Sequence, residues 1–265
     1  MQMDVKELRD FYDSPLGVTV RRLLRQRIRE RWARVHGEVV IGLGFAIPYL
    51  TTFRGEAAVL GAFMPAAQGV IAWPPDGPRQ SVLVEEGALP LPDSSVDRLL
   101  MVHSLELSEE VRPLLREVWR VLKPEGRLLL IAPNRRGPWA RFDTTPFGHG
   151  RPYSRGQLET LLLNTMLGPV GWSTALSMPP LDWRVIRRYA DSLERAGARY
   201  WPAFAGVNLV EARKELVAPV AVSRRLVGAR QLRPFRSAPV MPAAARDTDV
   251  IAVEALPLLN PDVSA

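Results

Sequence analysis

The chain of 265 residues is long enough for one large α/β domain or two small ones, and its 47% hydrophobic content is that of a globular protein with a packed core. It contains no cysteine, which excludes disulfides, thiolate metal sites and a cysteine nucleophile. The formal net charge of +7 permits attraction to phosphates or anionic surfaces without requiring it.

The N-terminal residues 5–35 are predicted to be helical. Apolar residues recur at every fourth position, namely Val20, Leu24, Ile28 and Trp32, which is the spacing of one buried helix face. The other faces carry seven arginines: Arg21, Arg22, Arg25, Arg27, Arg29, Arg31 and Arg34. Such a face can bind nucleic acid or lipid headgroups. A solvated face on a helix that packs through its apolar stripe is the favoured interpretation.

The stretch "DFYDSPLG" interrupts this helical region. Pro15 and Gly17 predict a bend between two helices. The chain contains no uninterrupted run of eighteen apolar residues, and "MQMDVKELRDFY" lacks the apolar centre of a signal peptide. We therefore expect a cytoplasmic protein without a membrane span.

Further along the chain, short apolar runs alternate with helical stretches. The predicted strands are "EVVIGLG", "GVIAWPP", "SVLVEE", "DRLLMVHSLE" and "GRLLLIAPN", followed by "PVGWSTALSMPP" and "GVNLVEARKELVAP". Strands that alternate with helices favour a parallel, doubly wound sheet. The expected fold class is therefore α/β, with a mostly parallel sheet and an N-terminal helical extension.

The clearest helix lies in "SEEVRPLLREVWRVLKPEG". Ser108 is placed to cap it, and Pro124 with Gly126 ends it. A second helix is predicted around Trp183 to Ala196, between the last two strands. From Pro219 onward the chain is rich in proline, arginine and alanine, which indicates a loosely ordered tail.

Two blocks in the middle of the chain resemble the class I S-adenosylmethionine-dependent methyltransferases, specifically the type 11 group. The block "EEGALPLPDSSVDRLLMVHSLEL" is similar to the group's acidic residue, Ala-Leu-Pro turn and "D-x-S-F-D" before the fourth strand, with Val96 in place of Phe. The block "LLREVWRVLKPEGRLLLIAPN" is similar to the next helix, Lys-Pro-Gly-Gly turn and fifth strand, with Glu125 in place of Gly. The resemblance covers residues 38–215 and implies a seven-stranded Rossmann-like sheet with S-adenosyl-L-methionine as cofactor.

The stretch "EVVIGLGFAIPYL" runs from the first strand into a glycine-containing turn. In such a turn, backbone N–H groups reach an anionic group and a helix N-terminus adds partial positive charge. The resemblance places here the family's acidic-x-Gly-x-Gly-x-Gly turn, which meets the amino-acid end of the cofactor. Gly42 and Gly44 match its first two glycines, Phe45 follows, Ala46 replaces the third glycine, and Val40 replaces the acidic residue. A tight structural corner is the alternative, since two glycines alone are a weak match.

The resemblance also implies two acidic contacts to the adenosine part. The residue that takes both ribose hydroxyls is usual at the end of the second strand, where "GVIAWPP" places Trp73 instead. The residue that receives the adenine amino group is assigned to Glu86, followed by Gly87 and Ala88, with Glu85 as the alternative.

The methyl acceptor is expected beyond the carboxyl ends of strands four and five. The segment "NRRGPWARFDTTPFGHGRPYSRGQLETLL" leaves strand five there, and its glycines, prolines and aromatics are typical of a loop that shapes a pocket. Arg135 and Arg136 are candidates to hold an anionic substrate, His149 to act as base, and Tyr153 to form a wall. The alternative is that the arginines face water and Ser154 caps the next helix.

Two residues outside this segment are also candidates. His103, at the end of strand four, is expected close to the cofactor, with an ordinary buried histidine as the alternative. In many type 11 relatives the N-terminal segment folds over the cofactor as a lid whose aromatic residue touches the reaction site, which by resemblance is Tyr12 here. Plain packing of Phe11 and Tyr12 is the alternative.

Three parts are expected: an N-terminal helical extension or lid over 1–36, a methyltransferase-like domain over 37–218, and a tail over 219–265. The expected function is S-adenosylmethionine-dependent methylation of a small molecule, without a metal. A catalytically inactive relative that binds or regulates a protein partner is one alternative. A nucleic-acid methyltransferase is less favoured, because "HSLE" and no Asn/Asp-Pro-Pro-Tyr motif follows strand four. A nicotinamide-dependent oxidoreductase lacks the "ALPLPDSSVD" and "LKPEG" blocks.

Overall fold

The computed structural model describes residues 3–216, so the predicted tail over 219–265 lies outside the described residues. A seven-stranded sheet runs through the centre in the order β3-β2-β1-β4-β5-β7-β6. Its strands are β1 (Val39–Gly44), β2 (Val59–Pro65), β3 (Ser81–Val84), β4 (Val96–Val102), β5 (Leu122–Pro133), β6 (Leu167–Ala175) and β7 (Val207–Lys214). The predicted α/β fold class is confirmed.

The strand order reverses between β1 and β4, which lie side by side and parallel. Parallel pairs extend outward from there to β2 and β3 on one side and to β5 on the other, whereas β7 is antiparallel to both of its neighbours. Gly44 at the end of β1 pairs with Val102 at the end of β4. In open sheets of this kind, ligands bind outside the carboxyl ends of the strands at the point where the order reverses.

One predicted strand is wrong. The run "GVIAWPP" at 69–75 is not a strand, and the second strand is β2, ten residues earlier. Gly69 has φ +90° and Pro74 and Pro75 have no N–H to donate, whereas the 59–65 run can pair with β1 along its length. Trp73 therefore does not end a strand: it lies beside the beginning of β3, where its N–H donates to the Ser81 hydroxyl at 3.0 Å.

The helices are α1 (Val5–Asp13), α2 (Pro15–Arg31), α3 (Ile47–Leu50), α4 (Val111–Val121), α5 (Arg155–Leu163), α6 (Arg184–Arg188) and α7 (Ala190–Tyr200). The prediction that Ser108 caps the central helix is wrong, since α4 begins after Glu110. Ser154 does cap α5, accepting from the Gln157 N–H at 3.3 Å. Within residues 3–216, no helix combines the length and the apolar character needed to cross a membrane.

The N-terminal helices pack on the sheet as the apolar stripe predicts. Val20, Leu24, Ile28 and Trp32 are each at most 1% exposed. The predicted bend lies at Ser14, whose hydroxyl accepts from the Gly17 N–H at 3.1 Å and caps α2. Capping at Ser14 therefore makes the break between the two helices, so α1 and α2 are separate elements.

Several arginines of α2 contact the rest of the fold. Arg29 donates two hydrogen bonds to Glu56, at 2.9 and 3.1 Å. Arg25 and Arg31 donate to backbone carbonyl oxygens of Pro48 and Trp172. These contacts support the structural interpretation of the arginine-rich helix.

Candidate functional site

The glycine turn lies where β1 ends against β4. Gly44 has φ +80°, and a Cβ at this position would collide with the Val102 carbonyl oxygen. A Cβ at Gly42 would lie 2.7 Å from the Ala46 Cβ. The Phe45 N–H donates to the Val102 carbonyl at 2.8 Å, which holds the turn against β4. Packing within the chain therefore demands both glycines, whatever else the turn binds.

Four aromatic side chains cover this turn, and we call them the aromatic cover: Tyr12, Phe45, Tyr49 and Phe147. Tyr12 comes from α1 and stacks on Phe45, with ring centroids 5.5 Å apart and an interplanar angle of 22°. Tyr49 meets Tyr12 edge-on at 5.9 Å. All four are at most 2% exposed. The side chain that the sequence predicted at the reaction site thus fills the space above the turn.

A chain of hydrogen bonds runs through this cover. The Tyr49 hydroxyl donates to the Tyr12 hydroxyl at 2.9 Å. The Tyr12 hydroxyl lies 2.9 Å from His103 Nε2, and His103 Nδ1 lies 3.1 Å from Glu106 Oε1. Burial raises the pKa of Tyr12 well above the ordinary value for tyrosine, and that of Tyr49 as well, so both phenols stay protonated and able to donate. With its proton directed to His103, Tyr12 requires Nε2 to be the acceptor.

His103 and Glu106 occupy an unusual place. His103 follows β4 directly, is 1% exposed and has φ +51°, in the left-handed region that non-glycine residues seldom adopt. Glu106 is 2% exposed, and within residues 3–216 its Oε2 has no hydrogen-bond partner. Sequence reasoning placed His103 near the cofactor but passed over Glu106, although both belong to "HSLEL".

A smaller cavity opens at the carboxyl ends of β2 and β3. It measures about 210 Å³ and is lined by Pro65, Ala66, Glu86 and Gly87, among others. Burial raises the pKa of Glu86, although the hydroxyls of Ser108 and Ser104 oppose the shift. Glu85 and Ala88 are exposed, and they pair with each other through the backbone. Of the two candidate carboxylates, Glu86 is the one with a partly enclosed environment.

Gln68 is a site residue that sequence reasoning missed. It follows β2 by three positions, and its side-chain N–H donates to the His103 carbonyl at 2.9 Å. Its Oε1 is buried without a partner among the described residues. The sequence analysis placed the second strand at 69–75, beyond Gln68. With the strand at 59–65, Gln68 lies just after the strand end, where the resemblance implies a contact to the cofactor ribose.

The segment after β5 reaches the aromatic cover. Phe147 contacts the His103 ring, with centroids 4.8 Å apart. A cavity of about 800 Å³ lies between this segment and α1, lined by Phe11, Phe142 and His149 together with the carboxylates of Glu7, Asp143 and Asp182. His149 Nε2 lies 2.8 Å from the Asp143 carbonyl oxygen.

The arginines predicted to hold the acceptor lie elsewhere. Arg135 and Arg136 are exposed and are not among the residues that line the 800 Å³ cavity. Tyr153 is half-buried and lines a separate groove against α4 and α5, together with Arg151. The structure therefore brings together Tyr12, His103 and the glycine turn, while Arg135 and Arg136 lie outside the 800 Å³ cavity and Tyr153 lines the other groove.

Known proteins resemble this chain in part of its sequence and in its fold. Residues 66–130 match the family model described as "Methyltransferase domain". The demethylmenaquinone methyltransferase of Corynebacterium glutamicum (strain R) is 32% identical over 128 residues, which are 47% of this chain and 54% of that protein. This chain therefore spans about half the length of that curated relative.

Over residues 66–130 this chain is thus similar to a class I methyltransferase domain of the type 11 group. Two solved structures share its fold. A methyltransferase from Thermotoga maritima is 14% identical, with a TM-score of 0.54 over 80% of this chain and 96% of its own. An Archaeoglobus fulgidus methyltransferase is 17% identical, with a TM-score of 0.52 over 73% and 94% of the two chains. At these identities the likeness concerns the fold of the domain.

Proposed function

We propose that this protein is an S-adenosylmethionine-dependent methyltransferase acting on a small molecule. The observation that carries the proposal is the placement of the glycine turn and of Glu86 on the same edge of the sheet. They flank the strand-order reversal at which doubly wound folds bind ligands. Similarity to the methyltransferase domain family supports it.

The residues at this edge fit the adenosine part of the cofactor. The partly enclosed Glu86 carboxylate would accept from the adenine amino group. The orphaned Gln68 Oε1 would accept from a ribose hydroxyl, which would satisfy a buried acceptor. Gly87 and Ala88 would border the adenine, while Gly42, Gly44, Phe45 and Ala46 would face the amino-acid part.

The amino-acid part of the cofactor fits only if α1 moves, because Tyr12 fills the space over the turn. We propose that residues 1–36 are a lid on a domain over 37–218, and that α1 is the part of this lid that moves away from the turn. The break at Ser14 between α1 and α2 supplies a hinge, since α1 can turn there while α2 stays packed. With α1 withdrawn, Phe45, Tyr49 and Phe147 would still line the site with apolar rings and limit the water around the methyl group.

The bound cofactor would supply a methyl group on a sulfonium, and the chain would supply position and a dry cavity. The 800 Å³ cavity beside Phe147 is the proposed acceptor site, with His149 on its wall. Its carboxylates, with no arginine or lysine among the described residues that line it, favour a neutral or cationic acceptor over the anionic one that the sequence predicts.

Calorimetry with S-adenosylmethionine and S-adenosylhomocysteine tests the proposal. We expect both to bind, and Glu86→Gln to weaken binding about tenfold, the effect of losing one charge-assisted hydrogen bond. Glu85→Gln is the matched control, because Glu85 is exposed beside the same cavity. Gly44→Val is not a clean test, since a Cβ there collides with Val102 in the protein itself.

A catalytically inactive relative is the second candidate. The aromatic cover favours it, together with Val40 in place of an acidic cofactor contact. If neither the unmodified protein nor a variant with a weakened lid binds either compound, the inactive relative replaces the enzyme as the proposed function.

A further inference from the structure

We infer that His103 is the general base of the reaction, that Glu106 positions it, and that the acceptor is an aromatic alcohol whose hydroxyl takes the place of the Tyr12 hydroxyl. This inference rests on the proposed function, and it names the acceptor class and the proton acceptor of the same site. It assigns to His103 the role of base that the sequence assigned to His149.

The position of His103 supports a reactive role. It directly follows β4 and lies against the glycine turn, where a Cβ on Gly44 would be 3.1 Å from the His103 carbonyl carbon. Its positive φ is a strained conformation for a non-glycine residue, and such strain is concentrated at functional sites. His149, in contrast, holds a carbonyl oxygen of its own loop through Nε2.

Glu106 supports the same role through its incomplete bonding. A carboxylate kept for structure alone is expected to have both oxygens satisfied, because burying a charged oxygen without a partner is costly. Glu106 holds His103 Nδ1 with one oxygen and has no partner for the other within residues 3–216. A buried carboxylate in this position fixes the tautomer with Nε2 as acceptor and stabilises the imidazolium when Nε2 takes a proton.

The contacts of Tyr12 indicate which kind of ligand the site would bind. Its phenol ring stacks on Phe45, and its hydroxyl reaches His103 Nε2. An aromatic alcohol would reproduce both contacts once α1 withdraws. Phe147 contacts the His103 ring, and its neighbours Pro146 and His149 line the 800 Å³ cavity, so the rest of an acceptor has room beside its reacting ring.

The methyl transfer needs only the acceptor, the cofactor, His103 and Glu106. The acceptor O–H bond breaks, and its proton moves to His103 Nε2. The acceptor oxygen forms a bond to the methyl carbon of the sulfonium, whose C–S bond breaks with the electron pair left on sulfur. The new imidazolium would be paired with Glu106, and it would return its proton to solvent after the methylated product leaves.

Phenol rescue tests the hydroxyl site without turnover. Tyr12→Ala removes a side chain that is 1% exposed and should leave a cavity of its shape. We expect phenol to raise the Tm of this variant by several degrees and toluene to raise it much less. Adding His103→Phe should abolish the preference for phenol. Tyr200→Ala, at an exposed tyrosine, is the matched control and should respond to neither. Equal rescue by toluene would overturn the inference.

A second measurement covers the case in which Tyr12→Ala does not fold. On the unmodified protein, 2-naphthol with S-adenosylhomocysteine should accelerate hydrogen exchange of the α1 amides and leave those of α2 unchanged, because the naphthol displaces Tyr12. Unchanged α1 exchange at saturating naphthol would contradict the inference.

Turnover tests the base itself. With 2-naphthol as acceptor, His103→Gln should lower kcat about a hundredfold while S-adenosylhomocysteine affinity changes less than threefold. His36→Asn, at an exposed histidine, should leave kcat unchanged. A loss of about a hundredfold for His149→Ala, together with no loss for His103→Gln, would overturn the inference. Failure of S-adenosylhomocysteine to bind any form would instead count against the proposed function.

Glu106→Gln distinguishes positioning from packing. The variant should move the acid limb of the kcat/KM profile to lower pH, because the imidazolium loses its anionic partner. The groups that face His103 are Glu106 from its own loop, Tyr12 from α1 and, through Tyr12, Tyr49 from α3. Arg21 lies near the two tyrosines and Tyr153 lies near Glu106. If the acid limb does not shift, Glu106 contributes only to packing, and its positioning role is refuted.

Discussion

At the scale of single residues, Glu86 is the side chain whose effect on folding stability can be measured separately from its effect on ligand binding. Burial raises its pKa, so the folded state favours the protonated carboxyl more than the unfolded state does. Its contribution to the free energy of unfolding is therefore most favourable below the ordinary glutamate pKa of about 4.3 and is lost as pH rises through the raised folded value. A carboxylate kept at neutral pH despite this cost is expected where a ligand uses it.

Glu86→Gln should therefore unfold at an equal or higher urea concentration than the unmodified protein at pH 7. The difference should disappear near pH 3.5, where both side chains are neutral. The same variant should bind S-adenosylmethionine more weakly, as proposed above. Urea titrations at the two pH values check the prediction, and lower stability of the variant at pH 7 would contradict it.

At the scale of elements, α2 is held by its apolar stripe. Trp32 is fully buried, and its indole N–H donates to Glu211 Oε1 on β7 at 3.2 Å. Trp32→Ala should lower the free energy of unfolding by about 3–5 kcal/mol, the usual cost of removing a buried aromatic ring. Arg34→Ala, at an exposed position of the same region, should change it by less than about 0.5 kcal/mol. Chemical denaturation of the two variants compares them.

The arginines of α2 differ among themselves, which the helical pattern alone does not show. Arg29 makes two hydrogen bonds to Glu56 and lies over the Phe53 ring at 5.3 Å. Reversing Arg29 should therefore cost about 1 kcal/mol or more, whereas exposed pairs usually contribute less. The sequence pattern alone favours one solvated face for all of these arginines.

A nucleic-acid function would show itself in the same helix. We expect duplex DNA to bind weakly, if at all, at 150 mM salt, because several arginines of α2 are already engaged by the protein. Fluorescence anisotropy over a salt series measures this. Tight binding with a steep salt dependence, lost on reversal of Arg22 and Arg34, would promote the nucleic-acid alternative.

At the scale of the whole molecule, the docked lid and the cofactor compete for the space over the glycine turn. A ligand that needs the open form loses apparent affinity in proportion to the population of the closed form. Leu8 is fully buried on α1, so Leu8→Ala should weaken lid docking without touching the turn. We expect the variant to have a lower Tm and yet to bind S-adenosylhomocysteine more tightly, by about tenfold if docking weakens by 1.4 kcal/mol.

Calorimetry and thermal unfolding of Leu8→Ala show whether α1 is a movable lid or a fixed cover over the glycine turn. Leu158→Ala on α5 is the matched control, since it removes an equally buried leucine far along the chain from the lid. That control should lower Tm without tightening binding. If Leu8→Ala binds no more tightly than the unmodified protein, α1 does not act as a lid.

Much of the domain could be predicted from the sequence because its signals are local. The central helix and the strands on either side of it lie within one continuous block, and their periodicity identifies them without tertiary information. The glycine turn and the bend at Ser14 are likewise local features of backbone chemistry. The prediction of the second strand was wrong for a local reason too. Two apolar runs, at 59–65 and 69–75, follow each other closely in the sequence, and pairing with β1 decides which of them forms the strand.

The sequence by itself thus determined the fold class, the domain family and the edge of the sheet at which a ligand would bind. Only the tertiary structure decided what occupies that edge. Tyr12 and His103 are 91 positions apart, and no spacing rule predicts their hydrogen bond. The same holds for the orphaned oxygens of Gln68 and Glu106, because hydrogen-bond satisfaction depends on neighbours that the fold brings from distant parts of the chain. Strand and helix patterns arise from a residue and its near neighbours, whereas a site arises from side chains that meet only after the chain has folded.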